Sequence, residues 1–534
     1  MLRTILCVAI VTACTEPTTP SPTGDDGVDE LAAQFSPAGQ AVIAALRTGH
    51  GEARGQTWDL GTDNSFATDW IVQTPLASYW GASASALPIV TTCAGDAKCD
   101  PDFDLIACSS QSDCSFGGTC TAVAATVTQP GATARKLCIG HSDAIYDQIY
   151  TLLASAESSI EISSLAPPDG RFEAAVRNAM TLLSRAGTSV RVRLLYGAVI
   201  GGYADPEDVV RSLTRDLDAQ SNVRIAVGAL RDGPESWDHA KIIAVDGNRA
   251  IVGGHNMWTR HYLEAAPVHD LSMELSGSAA FHASRFADAL WRHTCTPPVG
   301  LGSVATIAGD RAVACDATVP TAPAAAAGTA RVITVGRLGG LGDDAADDAI
   351  IALVDSAKTT LRLSLQDIGP VGAGAAWPEP YLRSLAAALA RGVDIQLVMT
   401  NLDARPDGLS AFSSSYSNGW TPTDITQHVA TYAAANPEVM RGADATSVCS
   451  HLHVASLRQG ADDVWSNGAT FANHSKLVIA DDATFYLGSQ NWYPANLFEI
   501  GYIVDDAPTT QQLLAGYFTK AWTESSRDAV SGCS

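Results

Sequence analysis

The feature that most constrains this chain is a short pattern written twice. His239-Ala240-Lys241, Asp246 and Gly253-Gly254-His255-Asn256 are matched by His474-Ser475-Lys476, Asp481 and Gly488-Ser489-Gln490-Asn491. Histidine, lysine, aspartate, the first glycine and asparagine keep identical mutual spacing in both copies. One copy could be coincidence, whereas two with a matched tail describe two equivalent segments of one fold. The surrounding texture repeats as well. Residues 160–165 (IEISSL) alternate as a strand, and a helical pattern over 172–186 and a strand over 190–196 follow. Residues 361–366 (LRLSLQ) open a second such unit, with a helix over 380–391 and a strand over 393–400. Strand, helix, strand at this spacing predicts parallel pairing through crossover helices, hence an α/β sandwich in each half.

A chain of 534 residues exceeds one ordinary core, which agrees with two large halves. The expected boundaries are 36–316 for the N-terminal half and 331–534 for the C-terminal half. Residues 317–330 (ATVPTAPAAAAGTA) have the composition of a linker between them. Residues 1–13 read as an export signal, with a short positive start and an apolar run too short to span a bilayer. Val11-Thr12-Ala13-Cys14 resembles a bacterial lipobox, which would make Cys14 an acylated anchor; ordinary cleavage near Ala13 is the other reading. Residues 14–35 read as a flexible tether. Apart from Cys7 and Cys14, ten cysteines remain, six of them in 93–138. That stretch holds neither CxxC pairs nor histidine, so disulfides in an oxidising compartment are expected rather than zinc. Cys93 with Cys99, Cys295 with Cys315 and Cys449 with Cys533 are the expected pairs, and 93–138 reads as an inserted surface module. A net charge of -24 argues against a nucleic-acid partner, which usually meets a basic face.

The motif spacing has a chemical logic. Residues i and i+2 of a strand point the same way, so His239 pairs with Lys241 and His474 with Lys476 on one side. Returning strands over 250–253 and 484–488 bring Asn256 and Asn491 to the same edge, and Gly253, Gly254, Gly488 and Ser489 permit close approach of a ligand. Two histidines, two lysines and two asparagines facing each other across a pseudo-twofold seam suit a phosphodiester. Lysine and asparagine hold the non-bridging oxygens, one imidazole attacks phosphorus, and the other protonates the leaving alcohol. A carboxylate on each imidazole would fix its tautomer, and Asp270 and Glu499 are the candidates. Asp246 and Asp481 stand at strand ends, where they either join the catalytic set or cap turns. Trp237, Trp258, Trp492 and Tyr493 either line an acyl-chain groove or pack the core. No metal and no cofactor is called for.

On these residues the chain resembles the phospholipase D superfamily, and more closely the secreted actinomycete-type enzymes. The likeness runs from WDHAK through VDGNRAIVGGHNMW to PVHDLSMELSGSAA, and again over ANHSKLVIADDATFYLGSQNWYPANLFEIGYIV. DWIVQTP, CAGDAKC and EISSLAPPDGRFEAAV upstream share it. The resemblance implies two similar halves with the site at their interface. It implies His239 as nucleophile, His474 as general acid and base, and Lys241, Lys476, Asn256 and Asn491 as the phosphate-binding set. It also implies that Asp270 supports His239 and Glu499 supports His474. The activity implied is hydrolysis of the distal phosphodiester of phospholipids, with head-group exchange, by a monomer working on a phospholipid membrane surface. A nuclease or other phosphodiesterase of the superfamily is the alternative. Three departures stand out. Glu499 replaces the family's aspartate. Asp238 replaces an asparagine, and facing inward it would raise the pKa of its neighbour imidazole. The loop 402–420, expected over the pocket mouth, differs in detail.

Overall fold

The computed structural model describes residues 26–532 apart from 88–89, 91–92, 94–97, 116, 297–299, 317–327, 372–375, 405–415 and 444–449. The signal, the lipobox, most of the linker and the pair Cys449 and Cys533 therefore lie outside the described residues.

Each half is organised by three parallel strands. In the first, Ser159–Ser164, Arg191–Gly197 and Arg224–Asp232 pair side by side, and helix Gly170–Arg185 makes the first crossover. Antiparallel strands Ile242–Val245, Arg249–Gly253, Asp270–Ser276 and Ile71–Thr74 then extend the sheet. In the second half Leu452–Ser456, Asp394–Met399 and Thr360–Leu365 are parallel, with helix Glu379–Ala390 as crossover. Lys476–Ala480, Thr484–Gly488, Phe498–Val504 and Ala330–Leu338 continue it in the same order. The two halves are thus one topology used twice. Although 160–165 alternates apolar and polar residues, every residue of Ser159–Ser164 is buried. The polar face survives burial because Glu161 meets Arg193 at 2.8 Å, and Arg193 in turn reaches Asp288 at 3.0 Å.

One hydrophobic core lies between the sheets and draws on both. Ala240, Ile242, Val252 and Leu271 of the first half meet Leu477, Leu487, Phe498 and Ile500 of the second. Helix Ser278–Cys295 supplies Ala283, Phe286, Leu290 and Trp291 to the same core. Fusing the halves through shared apolar surface makes their relative placement rigid, which a site built from both requires. Among the described residues no helix is long and apolar enough to cross a membrane.

Three expectations about organisation need correction. Strand Trp58–Asn64 pairs antiparallel with Ala330–Leu338 in the C-terminal sheet, and helix Pro37–His50 before it packs on the C-terminal core, so these elements do not belong to an N-terminal half beginning at 36. The added strand covers what would otherwise be an open edge. The expected tether contains helix Asp26–Ala32, and Val28 and Phe35 are buried against the C-terminal core. Ser36 then caps helix Pro37–His50 while bonding Asp505 through both its backbone and hydroxyl at 2.6 Å. The cysteine-rich segment is more than a surface module. Phe103, Leu105, Val123 and Leu137 enter the N-terminal core, and Asp102 pairs with Arg177 at 2.8 Å. Its disulfides are Cys93–Cys99, Cys108–Cys120 and Cys114–Cys138, with Cys295–Cys315 elsewhere. Two of the three expected pairs are thus present, and four disulfides accord with folding in an oxidising compartment.

Candidate active site

Each motif histidine enters the site just ahead of a strand that runs antiparallel to the first parallel strand of its half. Ile242 pairs with Ser163 and Lys476 with Leu365, which places both motifs at the carboxyl edge of the parallel strands. Across the interface each motif is stitched to the other half. The His239 N–H donates to the Phe498 carbonyl at 3.0 Å, and the His474 N–H donates to the His269 carbonyl at 2.7 Å. Phe498 and His269 are the residues immediately before the two candidate carboxylates.

That stitching decides the carboxylate partners. His239 Nδ1 lies 2.8 Å from Glu499 Oε1, and His474 Nδ1 lies 2.7 Å from Asp270 Oδ2. Each imidazole is therefore supported by the carboxylate of the opposite half, the reverse of the expected assignment. With Nδ1 engaged in both rings, Nε2 is the nitrogen left for chemistry. Both carboxylates are fully buried. Glu499 bridges onward to Arg337. Asp270 accepts the Tyr262 hydroxyl at 2.8 Å and the Leu271 N–H at 2.8 Å.

The lysines are buried beside them. Lys241 Nζ donates to the His239 carbonyl at 2.7 Å, and Lys476 Nζ makes the same bond to the His474 carbonyl. Burial lowers the Lys241 pKa to about 7, assisted by repulsion from Lys476, and burial lowers that of Lys476 to about 8. A buried cation with only neutral acceptors is a cation waiting for an anion. Desolvation, then the two lysines, push both imidazoles well below their ordinary value, so each ring is neutral before substrate binds. Asn256 and Asn491 each present a buried Oδ1 without a partner, the same atom at the same motif position. Orphaned amide ends in a buried site mark a place for a ligand, and half a turn of the amide offers N–H to phosphate.

The remaining expected residues divide. Gly254 belongs at the site because a Cβ there would overlap Asp270 Oδ1, and Gly253 and Gly488 let neighbouring strands close up. Ser489 turns onto the neighbouring strand Phe498–Val504, bonding the Ile500 backbone. Tyr493 accepts from Asn491 at 2.8 Å and, with Asn491, Arg337, Asp347, Tyr381 and Trp377, lines a cavity of about 720 Å³. Trp492 is a core residue, stacked on Tyr381 at 4.5 Å, and Trp258 packs edge-on against His261. Asp246 and Asp481 are not part of the catalytic set. Asp246 sits in a left-handed turn and accepts the N–H groups of Glu157, Ser158 and Ser159. Asp481 does the same for Lys358, Thr359 and Thr360. Each fastens the turn that starts its half's first parallel strand. Asp238 does not face the imidazole either: it bonds Ser163 at 2.6 Å and the Ala240 N–H, and burial raises its own pKa to about 7.

Sequence reasoning missed Arg337, Tyr262 and Tyr416. Arg337 is a charge near the end of a largely apolar strand (ARVITVGRL) whose other arginine, Arg331, stands at its start; a charge in such a strand is a signal of a buried partner. Tyr416, from the loop expected at the pocket mouth, is buried with its ring 5.0 Å from that of His474 and its hydroxyl 2.7 Å from His261 Nδ1. A tyrosine in an irregular loop carries no such mark.

Residues 350–522 match the family model described as cardiolipin synthase, PLD-like domain. Phospholipase D of Streptomyces antibioticus is 31% identical over 449 residues, which are 73% of this chain and 78% of that protein. Cardiolipin synthase A of Pseudomonas aeruginosa is 27% identical over 190 residues, 34% of this chain and 38% of that protein. The solved phosphatidylserine synthase of Haemophilus influenzae Rd KW20 aligns with a TM-score of 0.46 at 13% identity, over 73% of this chain and 85% of that one. The chain belongs to the phospholipase D superfamily, and is a phosphodiesterase of that superfamily.

Proposed function

We propose that the protein is an exported phospholipase D that cleaves the distal phosphodiester of phospholipids through a phosphohistidine, and that it exchanges head groups between alcohols. The observation that carries this reading is the pair of imidazoles, each with Nδ1 held by a buried carboxylate and each beside a buried lysine.

The lysine ammonium groups and motif asparagines bind the diester's non-bridging oxygens and stabilise the charge that gathers there. His239 Nε2 attacks phosphorus, the bond to the head-group oxygen breaks, and His474 Nε2–H donates its proton to that oxygen. The anionic diester itself raises the proton affinity of His474, which the lysines hold low in the free protein. Water then attacks phosphorus, its proton passes to His474, and the P–N bond breaks to release phosphatidic acid. An alcohol in place of water gives a new phosphatidyl ester.

Two features support a lipid with a cationic head group. Glu235, Asp344, Asp348 and Glu379 join Trp377 and Tyr381 on the wall of the 720 Å³ cavity that reaches Asn491. Carboxylates and aromatic faces together suit a quaternary ammonium. Ile200, Tyr203, Val371 and Leu402 stand exposed on loops that follow parallel strands, at the edge carrying the motifs. Such residues suit contact with a membrane surface by a single protein molecule. Lipid anchoring through Cys14 belongs to the same proposal. A second reading, phosphatidyl transfer to a lipid alcohol, is favoured by the match to the cardiolipin synthase family model.

The test is choline release from phosphatidylcholine vesicles, with ethanol as competing acceptor and His239→Ala alongside. Choline and phosphatidylethanol, absent in the variant, are expected. With phosphatidylglycerol vesicles, joining of two phosphatidylglycerols with release of glycerol, and no choline release from phosphatidylcholine, would favour the synthase reading; cleavage of DNA or a generic diester alone would move the protein to the nuclease branch.

A further inference from the structure

We propose that Arg337, braced by Asp347, is a positioning residue that dedicates His239 to nucleophilic attack by clamping Glu499. The inference rests on the phospholipase D reading and adds to it what distinguishes two otherwise equivalent imidazoles.

Arg337 and Glu499 are register partners on adjacent antiparallel strands, so their side chains leave the sheet on the same face. The Arg337 guanidinium donates to Glu499 Oε2, which leaves Oε1 for His239 Nδ1 at 2.8 Å. Its Nε donates to the Leu497 carbonyl at 3.2 Å, and a terminal nitrogen lies 3.4 Å from Asp347 Oδ2. Asp347, at the start of helix Ala345–Ser356, also accepts the Tyr381 hydroxyl at 2.8 Å and the side-chain amide of Gln490, a residue of the second motif's tail. A chain of contacts thus runs from the cavity wall through Asp347, Arg337 and Glu499 to His239. The other half has no counterpart: among the described residues no arginine pairs with Asp270, whose remaining side-chain partner is the neutral Tyr262 hydroxyl.

The chemical consequence follows from charge. A carboxylate matched by a guanidinium holds its ring in place yet draws less strongly on a second ring proton than an unmatched carboxylate does. The groups facing His239 are Glu499, Asp270, Lys241, Lys476 and Arg337, and after burial the three cations all act to keep the ring unprotonated. An attacking imidazole has to be unprotonated and an acid has to be protonated. The half with the arginine is therefore equipped for attack, and the half without it for proton transfer.

The test uses the full chain with Arg337→Met, Arg337→Lys and Asp347→Asn. Burst kinetics are followed with phosphatidyl-p-nitrophenol and with bis(p-nitrophenyl) phosphate. Arg337→Met is expected to slow the burst by ~100-fold, about 2.7 kcal/mol, with KM little changed. It should also move the acid limb of kcat/KM to higher pH, because His239 then holds a proton more tightly. Arg337→Lys should recover part of both effects, and Asp347→Asn should show both in weaker form. Should Arg337→Met fail to fold, Asp347→Asn at the cavity wall carries the same two readouts. A burst of reduced amplitude but unchanged rate and unchanged acid limb would make the ion pair merely structural and overturn the proposal. Absence of any burst in the unsubstituted protein overturns the phospholipase D reading itself, so the two failures are told apart.

Discussion

The crossed carboxylates make a sharp prediction about Asp270→Asn. Leu271 N–H is a fixed donor 2.8 Å from Asp270 Oδ1, so the amide oxygen of an asparagine must take that position. The NH2 group then faces His474 Nδ1, where the carboxylate had accepted at 2.7 Å. His474 is forced to accept at Nδ1 and to carry its proton on Nε2, the wrong tautomer for activating water. It also loses the anion that stabilised its charged form, a charge-assisted bond worth ~1.5–3 kcal/mol. Together with the tautomer error, a fall of ~10³ to 10⁴-fold in kcat is expected, as comparable Asp→Asn changes behind catalytic histidines produce. The assay that locates the defect is release of p-nitrophenol from phosphatidyl-p-nitrophenol. That alcohol departs without protonation, so Asp270→Asn should still give a burst of one equivalent per site and then stall, since only breakdown of the phosphohistidine needs His474. Glu499→Gln, acting on the nucleophile His239, should give no burst. The opposite pattern would refute the crossed assignment or the division of roles built on it.

Further outcomes follow from the same geometry. The protonated lysines that receive the diester are lost as pH rises through about 7 for Lys241 and about 8 for Lys476, so kcat/KM should decline over that range. The kcat profile should decline at higher pH, because bound anion restores lysine proton affinity; a kcat/KM profile flat through pH 7 to 8 would contradict this. Asp481→Asn should cost ~1–3 kcal/mol in denaturant unfolding, because three backbone N–H groups share its carboxylate, while kcat stays at the wild-type value. A large kcat loss in a protein of normal stability would return Asp481 to the catalytic set. Gly254→Ala should abolish turnover by displacing Asp270, with at most ~1–3 kcal/mol lost in stability. Near-normal activity of that variant would show that Asp270 is not needed where it stands.

Much of this protein was legible in the chain itself. The repeated His, Lys and Asn spacing and the strand–helix–strand texture are local patterns, and local geometry alone puts residues i and i+2 on one side of a strand. That is why Lys476–Ala480 and Thr484–Gly488 fall where the sequence placed them, and why Lys241 stays beside His239 and Lys476 beside His474. The chain also marked Asp246 and Asp481 as strand-end positions where a turn begins, but not whether those carboxylates serve chemistry or fasten backbone. That choice depends on which N–H groups stand opposite, and those lie 80 to 125 residues away. Long-range apposition likewise decided the rest. Asp270 and Glu499 each follow their own motif closely in sequence, which favoured pairing within a half. Bonds from His239 to Phe498 and from His474 to His269 cross the interface instead, and turn each carboxylate toward the other half's imidazole. Trp58–Asn64 joined the distant sheet because an open edge existed there, and Arg337 found Glu499 only through strand register. Spacing along a chain determines which side chains share a face, and only the packing of one face against another determines what they touch.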